Sequence, residues 1–276
     1  MPELPEVATV IKQISPYVTG QIISDVIITK KGERMISPLT PQKIVQLLMG
    51  VTVTEIKRHG KFIVFEMSDA SKVVAHLRMS GRFLISDNLV EHSHNRILIL
   101  LGNGKFLNFI DIRRFGTFHL VPKSSEYPGL KNLGPDALSP EFTAEYLSSQ
   151  LQKRNKPVYS SLLDQSIVAG LGNIYVNEVL YDAKIHPQRS SVKITLKEAG
   201  KLIKSTIEIL TMAINYRGTT LIDRSYADTE GLYGDFFIML KVYGRKKGSC
   251  ERCGSLIARI KIGGRSVYFC PGCQKL

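Results

Sequence analysis

The sequence predicts an α+β protein in which a β-rich half is followed by a helical half and closed by a small metal-bound hairpin. Three observations carry that prediction. Seven short segments up to about residue 121 are rich in Val, Ile, Phe and Thr and are separated by Gly, Asn, Asp and Ser, the pattern of a sandwich or barrel. One long stretch, ITLKEAGKLIKSTIEILTMAI, then carries apolar residues at helical spacing. All four cysteines fall in the last 27 residues.

The elements follow in order. Val7, Val10, Ile11 and Ile14 share one face of a helix that begins near the N-terminus. The strand-like segments are QIISDVIIT, VTVTEIKR, KFIVFEM, KVVAHLR, RILILL, KFLNFI and TFHLV. Asn103-Gly104, between the fifth and sixth, signals a two-residue type I′ hairpin, because both turn positions then need positive φ. The proline- and glycine-rich run 122–140 reads as an interdomain connection. In the helical stretch Leu196, Ala199, Leu202, Ile203, Ile207, Leu210 and Ile214 form the expected buried stripe, with Arg217-Gly218 as its stop.

Composition excludes several classes. A chain of 276 residues with 43% hydrophobic content can build a full core, so disorder is not the reading. Charges interrupt every apolar run before it could span a bilayer, and MPELPEVATV has the wrong polarity for a secretory signal. A cytosolic protein is expected. The net charge is +13, and residues 241–276 hold nine basic residues against one acid, a concentration suited to a polyanion such as nucleic acid.

Cys250, Cys253, Cys270 and Cys273 form C-x2-C-x16-C-x2-C. Two tight knuckles delivering four thiolates match a tetrahedral structural zinc site, which leaves no ligand position open for catalysis. Two disulfides fit a reducing cytosol poorly, and a redox pair is the remaining reading. The hairpin between the knuckles presents Arg259, Lys261 and Arg265 beside Tyr268.

A zinc hairpin at one end joined to MPELPEV at the other, with HGK at 59–61, HLRMSG at 76–81, DIRRFG at 111–116, LGPDAL at 133–138, LLDQSIVAGLGNIYVNE at 162–178, KIHP at 184–187 and VYGR at 242–245, resembles the bacterial formamidopyrimidine-DNA glycosylase family nearly end to end. The resemblance implies an N-terminal β-sandwich catalytic domain over 1–133, a helix-two-turn-helix domain with a lesion-recognition loop over 134–239, and a zinc finger over 240–276, with DNA in the cleft between. It implies a bifunctional glycosylase and abasic-site lyase that removes oxidised purines such as 8-oxoguanine and formamidopyrimidines, cuts by β,δ-elimination, carries one structural Zn2+, and acts as a monomer on double-stranded DNA in the bacterial cytoplasm. An endonuclease VIII-like enzyme for oxidised pyrimidines is one alternative, and a non-catalytic zinc-finger DNA-binding protein the other.

The residue roles come from the same resemblance. Pro2 matches the family's imine-forming residue, and Glu3 its general acid. On the segment alone Pro2 and Pro5 would read as a helix start. The chemistry is nevertheless apt: removal of Met1 would leave Pro2 a secondary amine with a pKa about two units below that of lysine, and so more nucleophilic at neutral pH. Glu6 matches a supporting carboxylate, and Lys61 a lysine that binds the target phosphate and assists proton transfer. Arg265 matches the arginine implicated in δ-elimination. Met79, Arg113 and Phe115 match the residues that fill the gap left by a flipped nucleotide; His76, His92, Arg113, Arg154 and Asn173 match positions that touch DNA. Two departures stand out. Ala8 replaces a common glutamate, and Tyr159-Ser160 occupies the place of a lysine-proline pair near the damaged base. Recognition then falls to other contacts, with RGTTLIDRSYADTEGLYGDF at 217–236 as a candidate lid, and 8-oxoguanine excision is expected to be weakened relative to formamidopyrimidines.

Overall fold

The computed structural model describes residues 1–89, 92–220, 228, 229 and 231–276, and the chain divides into two compact units. Unit 1 comprises 1–131 and 216–235; unit 2 comprises 132–215 and 236–276.

Unit 1 is a β-sandwich. After helix α1 (Leu4–Val18) come β1 (Ile23–Ile28), α2 (Pro41–Leu48), β2 (Val53–His59), β3 (Phe62–Met67), β4 (Lys72–His76), β5 (Gly81–Ser86), β6 (Asn95–Leu101), β7 (Phe106–Asp111), β8 (Thr117–Val121) and the short α3 (Pro128–Lys131). Two four-stranded antiparallel sheets have the orders β1-β6-β7-β5 and β2-β3-β4-β8. Phe65 meets Phe83 edge-on at 5.8 Å, and Phe83 stacks on Phe109 at 4.8 Å, so aromatic area from both sheets fills the core. Helix α1 packs on β2, β3 and β5 and buries Val7, Val10 and Ile14 as its spacing predicts.

The structure corrects several details. The hairpin at Asn103-Gly104 exists, but Leu100 pairs with Phe106, and Gly102, Asn103 and Gly104 form a three-residue loop. Only Gly104 takes positive φ (+81°), and the Gly104 N–H bonds to Leu101 O, so the connection is a type I turn closed by one left-handed residue. Strand β5 and helix α2 were not among the expected elements. Helix α2 is nevertheless signalled by Thr40, whose hydroxyl accepts from the Lys43 N–H, by Pro41 in the first turn, and by Ile44 and Leu48 one turn apart.

In unit 2, α4 (Ala144–Gln152) and α6 (Asn173–Asp182) pack on α7 (Leu196–Asn215), with the short α5 (Val158–Leu162) against α6. Helix α6 is buried from Ile174 to Tyr181 and forms the centre of the unit. Between α5 and α6, Gln165 donates to the carbonyls of Leu163 and Leu171 while accepting from the Gly170 N–H, which holds the two turns together. The buried face of α7 differs from the apolar stripe. Leu196 and Ile207 are exposed, whereas Ser205, Thr206 and Ala213 are buried with Ala199, Leu202 and Leu210. The Ser205 hydroxyl is satisfied by Asp182 Oδ2 at 2.7 Å, which lets a polar residue occupy the packed face. Strands β9 (Ala258–Ile262) and β10 (Arg265–Phe269) form the C-terminal hairpin, which rests on α6. Among the described residues no helix is long and apolar enough to cross a membrane.

The chain changes sheet between β4 and β5 and again between β7 and β8, and Asp111 ties these crossings together. The Asp111 side chain is fully buried; Oδ1 accepts from the Ser80 hydroxyl (2.5 Å) and the Arg113 N–H (3.0 Å), and Oδ2 from the Gly116 N–H (2.8 Å). Replacing Asp111 with Ala removes the shared acceptor. We expect Asp111→Ala to lower unfolding free energy by about 3 kcal/mol, and Ser80→Ala by about 1 kcal/mol, in denaturant titrations; a loss below about 0.5 kcal/mol for Asp111→Ala would remove it from this role.

Candidate active site and nucleic-acid contacts

The N-terminal residues singled out by the sequence are held inside unit 1. Pro2 is buried, and Glu3, Glu6 and Lys61 are 3%, 1% and 6% exposed. Glu3 is the N-cap of α1 with Pro5 in the first turn, so this segment is a helix start as well as a candidate site. Glu6 anchors it. Its Oε2 accepts from the Glu3 N–H at 2.8 Å and its Oε1 from the Thr219 N–H at 2.7 Å. A Cβ on the adjacent Gly218, which has φ +79°, would lie 2.6 Å from Glu6 Oε1, so only glycine permits this approach.

Lys61 lies in the Gly60-Lys61 turn between β2 and β3, whose closing pair is His59 and Phe62. Phe62 in turn pairs with His76 across β3 and β4, their rings edge-on at 4.7 Å. Burial first, then the charges of Arg78 and Lys61, push the His76 pKa down to about 3, so its imidazole is neutral at physiological pH. Nδ1 accepts the Arg78 N–H at 2.9 Å, which assigns the ring proton to Nε2 as a neutral donor.

Met79, Arg113 and Phe115 lie on the two sheet crossings and are brought into contact. Arg113 Nη1 donates to Met79 Sδ at 3.3 Å, and its guanidinium stands over the Phe115 ring at 5.6 Å. Met79 and Phe115 are 40% and 46% exposed. Apolar groups left this open by a well-packed sandwich are available to a ligand rather than to the core. His92 stands apart from this trio: its Nδ1 accepts from the His94 N–H, and burial, with the charges of Arg82, His94 and Arg96, lowers its pKa.

In unit 2, Asn173 opens α6 after Gly172. Its Oδ1 accepts the Tyr159 hydroxyl at 2.5 Å, and Tyr159 is 1% exposed, a buried aromatic. Arg154 follows α4 and folds back on it, Nη1 donating to Gln150 O at 2.7 Å.

The four cysteine sulfurs lie within 4.8 Å of one another, with Cys250–Cys273 at 3.8 Å and Cys253–Cys270 at 3.4 Å. Tetrahedral zinc with Zn–S near 2.3 Å needs sulfurs about 3.8 Å apart, so the donor set fits that ion. The Tyr181 hydroxyl lies 3.2 Å from Cys250 Sγ, and Gln274 links Cys270 N–H to Ile185 O. Arg265 opens β10 and is exposed, on the same hairpin but outside the cluster. Pro2, Glu3 and Lys61 belong to unit 1 and Arg265 to unit 2. Sequence reasoning missed Ser80, Asp111, Asn177 and Glu178. The hint each carried was its place as a polar residue inside a quoted motif: Ser80 in HLRMSG, Asp111 in DIRRFG, and Asn177 and Glu178 at the end of LLDQSIVAGLGNIYVNE.

Comparison with known proteins bears on the whole chain. Residues 1–118 match the formamidopyrimidine-DNA glycosylase N-terminal domain, 133–225 the formamidopyrimidine-DNA glycosylase H2TH domain, and 249–276 a zinc finger found in FPG and IleRS. The four-cysteine cluster is therefore the site of one Zn2+. Formamidopyrimidine-DNA glycosylases of Desulforamulus reducens and Bacillus licheniformis are each 42% identical over all of this chain and cover 99% and 100% of their own length. The crystal structure of the MutM (Fpg) protein of Thermus thermophilus superposes with a TM-score of 0.88 at 36% identity, covering 99% of this chain and 98% of that one. Lactococcus lactis Fpg in complex with abasic site containing DNA gives 0.90 at 33% identity, over the full length of both chains. A β-sandwich, an H2TH unit and a four-cysteine hairpin in this order, with full-length relatives at this identity, mean that the chain belongs to the formamidopyrimidine-DNA glycosylase family.

Proposed function

We propose that the protein is a bifunctional DNA glycosylase and abasic-site lyase of base excision repair, acting on formamidopyrimidines and other oxidised purines in the bacterial cytoplasm. One observation carries the assignment of residues: Pro2 and Glu3 are buried together at the capped start of α1, where Glu6 fixes the backbone of the segment. A carboxylic acid buried beside a residue whose nitrogen becomes an amine on removal of Met1, and held that rigidly, is suited to chemistry more than to solvation.

With Met1 removed, the Pro2 nitrogen attacks C1′ of the damaged nucleotide. The N–C1′ bond forms as the C1′–base bond breaks, the departing base taking up the proton that the amine gives up; Glu3 then gives a proton to O4′ as the C1′–O4′ bond opens, which leaves the Pro2 nitrogen joined to C1′ as an iminium. The resulting iminium acidifies the C2′ proton, whose loss expels the 3′ phosphate; loss of a second proton, with Arg265 placed to assist, expels the 5′ phosphate. Lys61 supplies a cation for the target phosphate. Met79, Arg113 and Phe115 occupy the space left by the extruded nucleotide, a flat guanidinium over an aromatic ring replacing part of the lost stacking. His76 contributes a neutral Nε2–H donor, Asn173 an amide, and His92 and Arg154 further phosphate contacts. The zinc takes no part in the reaction and holds the hairpin.

Borohydride is expected to trap a covalent adduct between processed protein and lesion-containing duplex, and Pro2→Gly to abolish it; an undiminished adduct through Lys61 would remove Pro2 from the role. Glu3→Gln should lose base excision while keeping much of the cleavage at a preformed abasic site. Equal loss of both activities contradicts the assignment.

Because metal binding supplies the folding free energy of such hairpins, chelation should release one zinc per chain, unfold 249–276 and weaken DNA binding by about tenfold or more. Undiminished affinity in metal-free protein, measured by anisotropy, overturns that coupling.

Tyr159 provides no cation and has its ring buried, so the charge that the family lysine supplies is missing. Of the candidate lid at 217–236, residues 221–227 and 230 lie outside the described residues. Single-turnover excision of 8-oxoguanine is expected to be slower than that of formamidopyrimidine in matched duplexes. Equal rates would show that this position does not set the preference.

A further inference from the structure

We propose that Tyr159 is a positioning residue whose hydroxyl locks the side-chain amide of Asn173, so that Nδ2 and not Oδ1 is presented to a DNA phosphate. The inference rests on the reading of Asn173 as a DNA contact.

An asparagine amide has two orientations of nearly equal shape and opposite chemistry. Oδ1 only accepts and Nδ2 only donates, and a phosphate only accepts. Presenting the wrong end exchanges a hydrogen bond for a repulsion. At Asn173 the choice is made from behind. Asn177 sets the sense: its Oδ1 accepts the Tyr268 N–H at 2.5 Å, which turns its Nδ2 toward Asn173. That Nδ2 bonds chiefly to Asn173 O at 2.6 Å and reaches Asn173 Oδ1 only at 3.3 Å, a long contact that holds the amide weakly. The strong bond is the 2.5 Å one from the Tyr159 hydroxyl. Tyr159 is 1% exposed, with its ring fixed in α5 and its N–H on Pro187 O at 3.3 Å, so burial sets the direction in which the hydroxyl reaches Asn173. Asn173 Nδ2 then lies 3.5 Å from the Tyr243 hydroxyl, a single long contact for a group with two hydrogens, on a residue that is partly exposed at the start of α6. A lysine at 159 would bring a charged donor, so in this chain the bond to Asn173 Oδ1 comes from a neutral hydroxyl that adds no cation.

Phenylalanine removes the hydroxyl and keeps the ring. Affinities for duplex carrying a tetrahydrofuran abasic analogue should fall about fivefold in Tyr159→Phe, the size of one net hydrogen bond, with the single-turnover cleavage rate at saturating natural abasic DNA unchanged. The loss should be independent of salt, since no charge is removed. Asn173→Ala should weaken binding at least as much, and Tyr159→Phe should cost nothing more in the Asn173→Ala background. In free protein, the Asn173 side-chain amide signals in 15N spectra, assigned by their absence from Asn173→Ala, should shift or broaden in Tyr159→Phe. Native affinity in Tyr159→Phe beside a weakened Asn173→Ala overturns the lock alone, as do unchanged amide signals or an equal loss in the double variant. Native affinity in Asn173→Ala overturns the contact reading, and the inference with it.

Discussion

Irregular chain inside a protein leaves backbone N–H groups without the partners that helices and ladders provide, and each must still find an acceptor. Here buried carboxylates answer that demand. Glu6 accepts from Glu3 and Thr219, Asp111 from Arg113 and Gly116, and Glu178 from Lys241, Val242 and Tyr243 at 2.8–3.0 Å. Burial raises the Glu178 pKa while its three N–H bonds pull the other way. Each carboxylate fixes one irregular segment: the first that of Pro2 and Glu3, the second that of Arg113 and Phe115, and the third the chain leading into the zinc hairpin.

The sandwich topology explains where Met79, Arg113 and Phe115 lie. Strands exchange sheets at 77–80 and 112–116, and a crossing cannot keep the in-out alternation of a strand, so its apolar residues are not all drawn into the core. Met79 and Phe115 remain exposed for that reason, and the Ser80–Asp111 bond at 2.5 Å holds the two crossings close enough for Arg113 to meet both.

Much of this was legible in the sequence. The cysteine spacing predicts the cluster, and the spacing of Val7, Val10 and Ile14 predicts the buried face of α1. What escaped depends on contacts between distant residues. Gly102 makes the β6–β7 loop one residue longer than the Asn-Gly signal suggests, because Leu101 pairs with Lys105 and not across Asn103 alone. Ile207 is apolar and exposed while Ser205 is polar and buried, since Asp182 on α6 supplies the partner that burial requires. Tyr159 reads in sequence only as a missing charge. Its hydroxyl bond to Asn173 becomes visible when α5 and α6 are placed side by side.

The zinc hairpin shows how metal, helix and arginine combine. Metal binding folds the two knuckles, but it does not by itself determine where the hairpin points. That is set by adjacent residues on α6: Asn177 takes the Tyr268 N–H, and Glu178 takes the three N–H groups of 241–243. From the Tyr268 anchor the extended strand runs back three residues to Arg265, a reach of about 10 Å at the usual rise per residue. Arg265 therefore projects from a strand registered to the same helix that opens with Asn173. The placement of the arginine depends on the cysteines for its rigidity and on Asn177 and Glu178 for its direction.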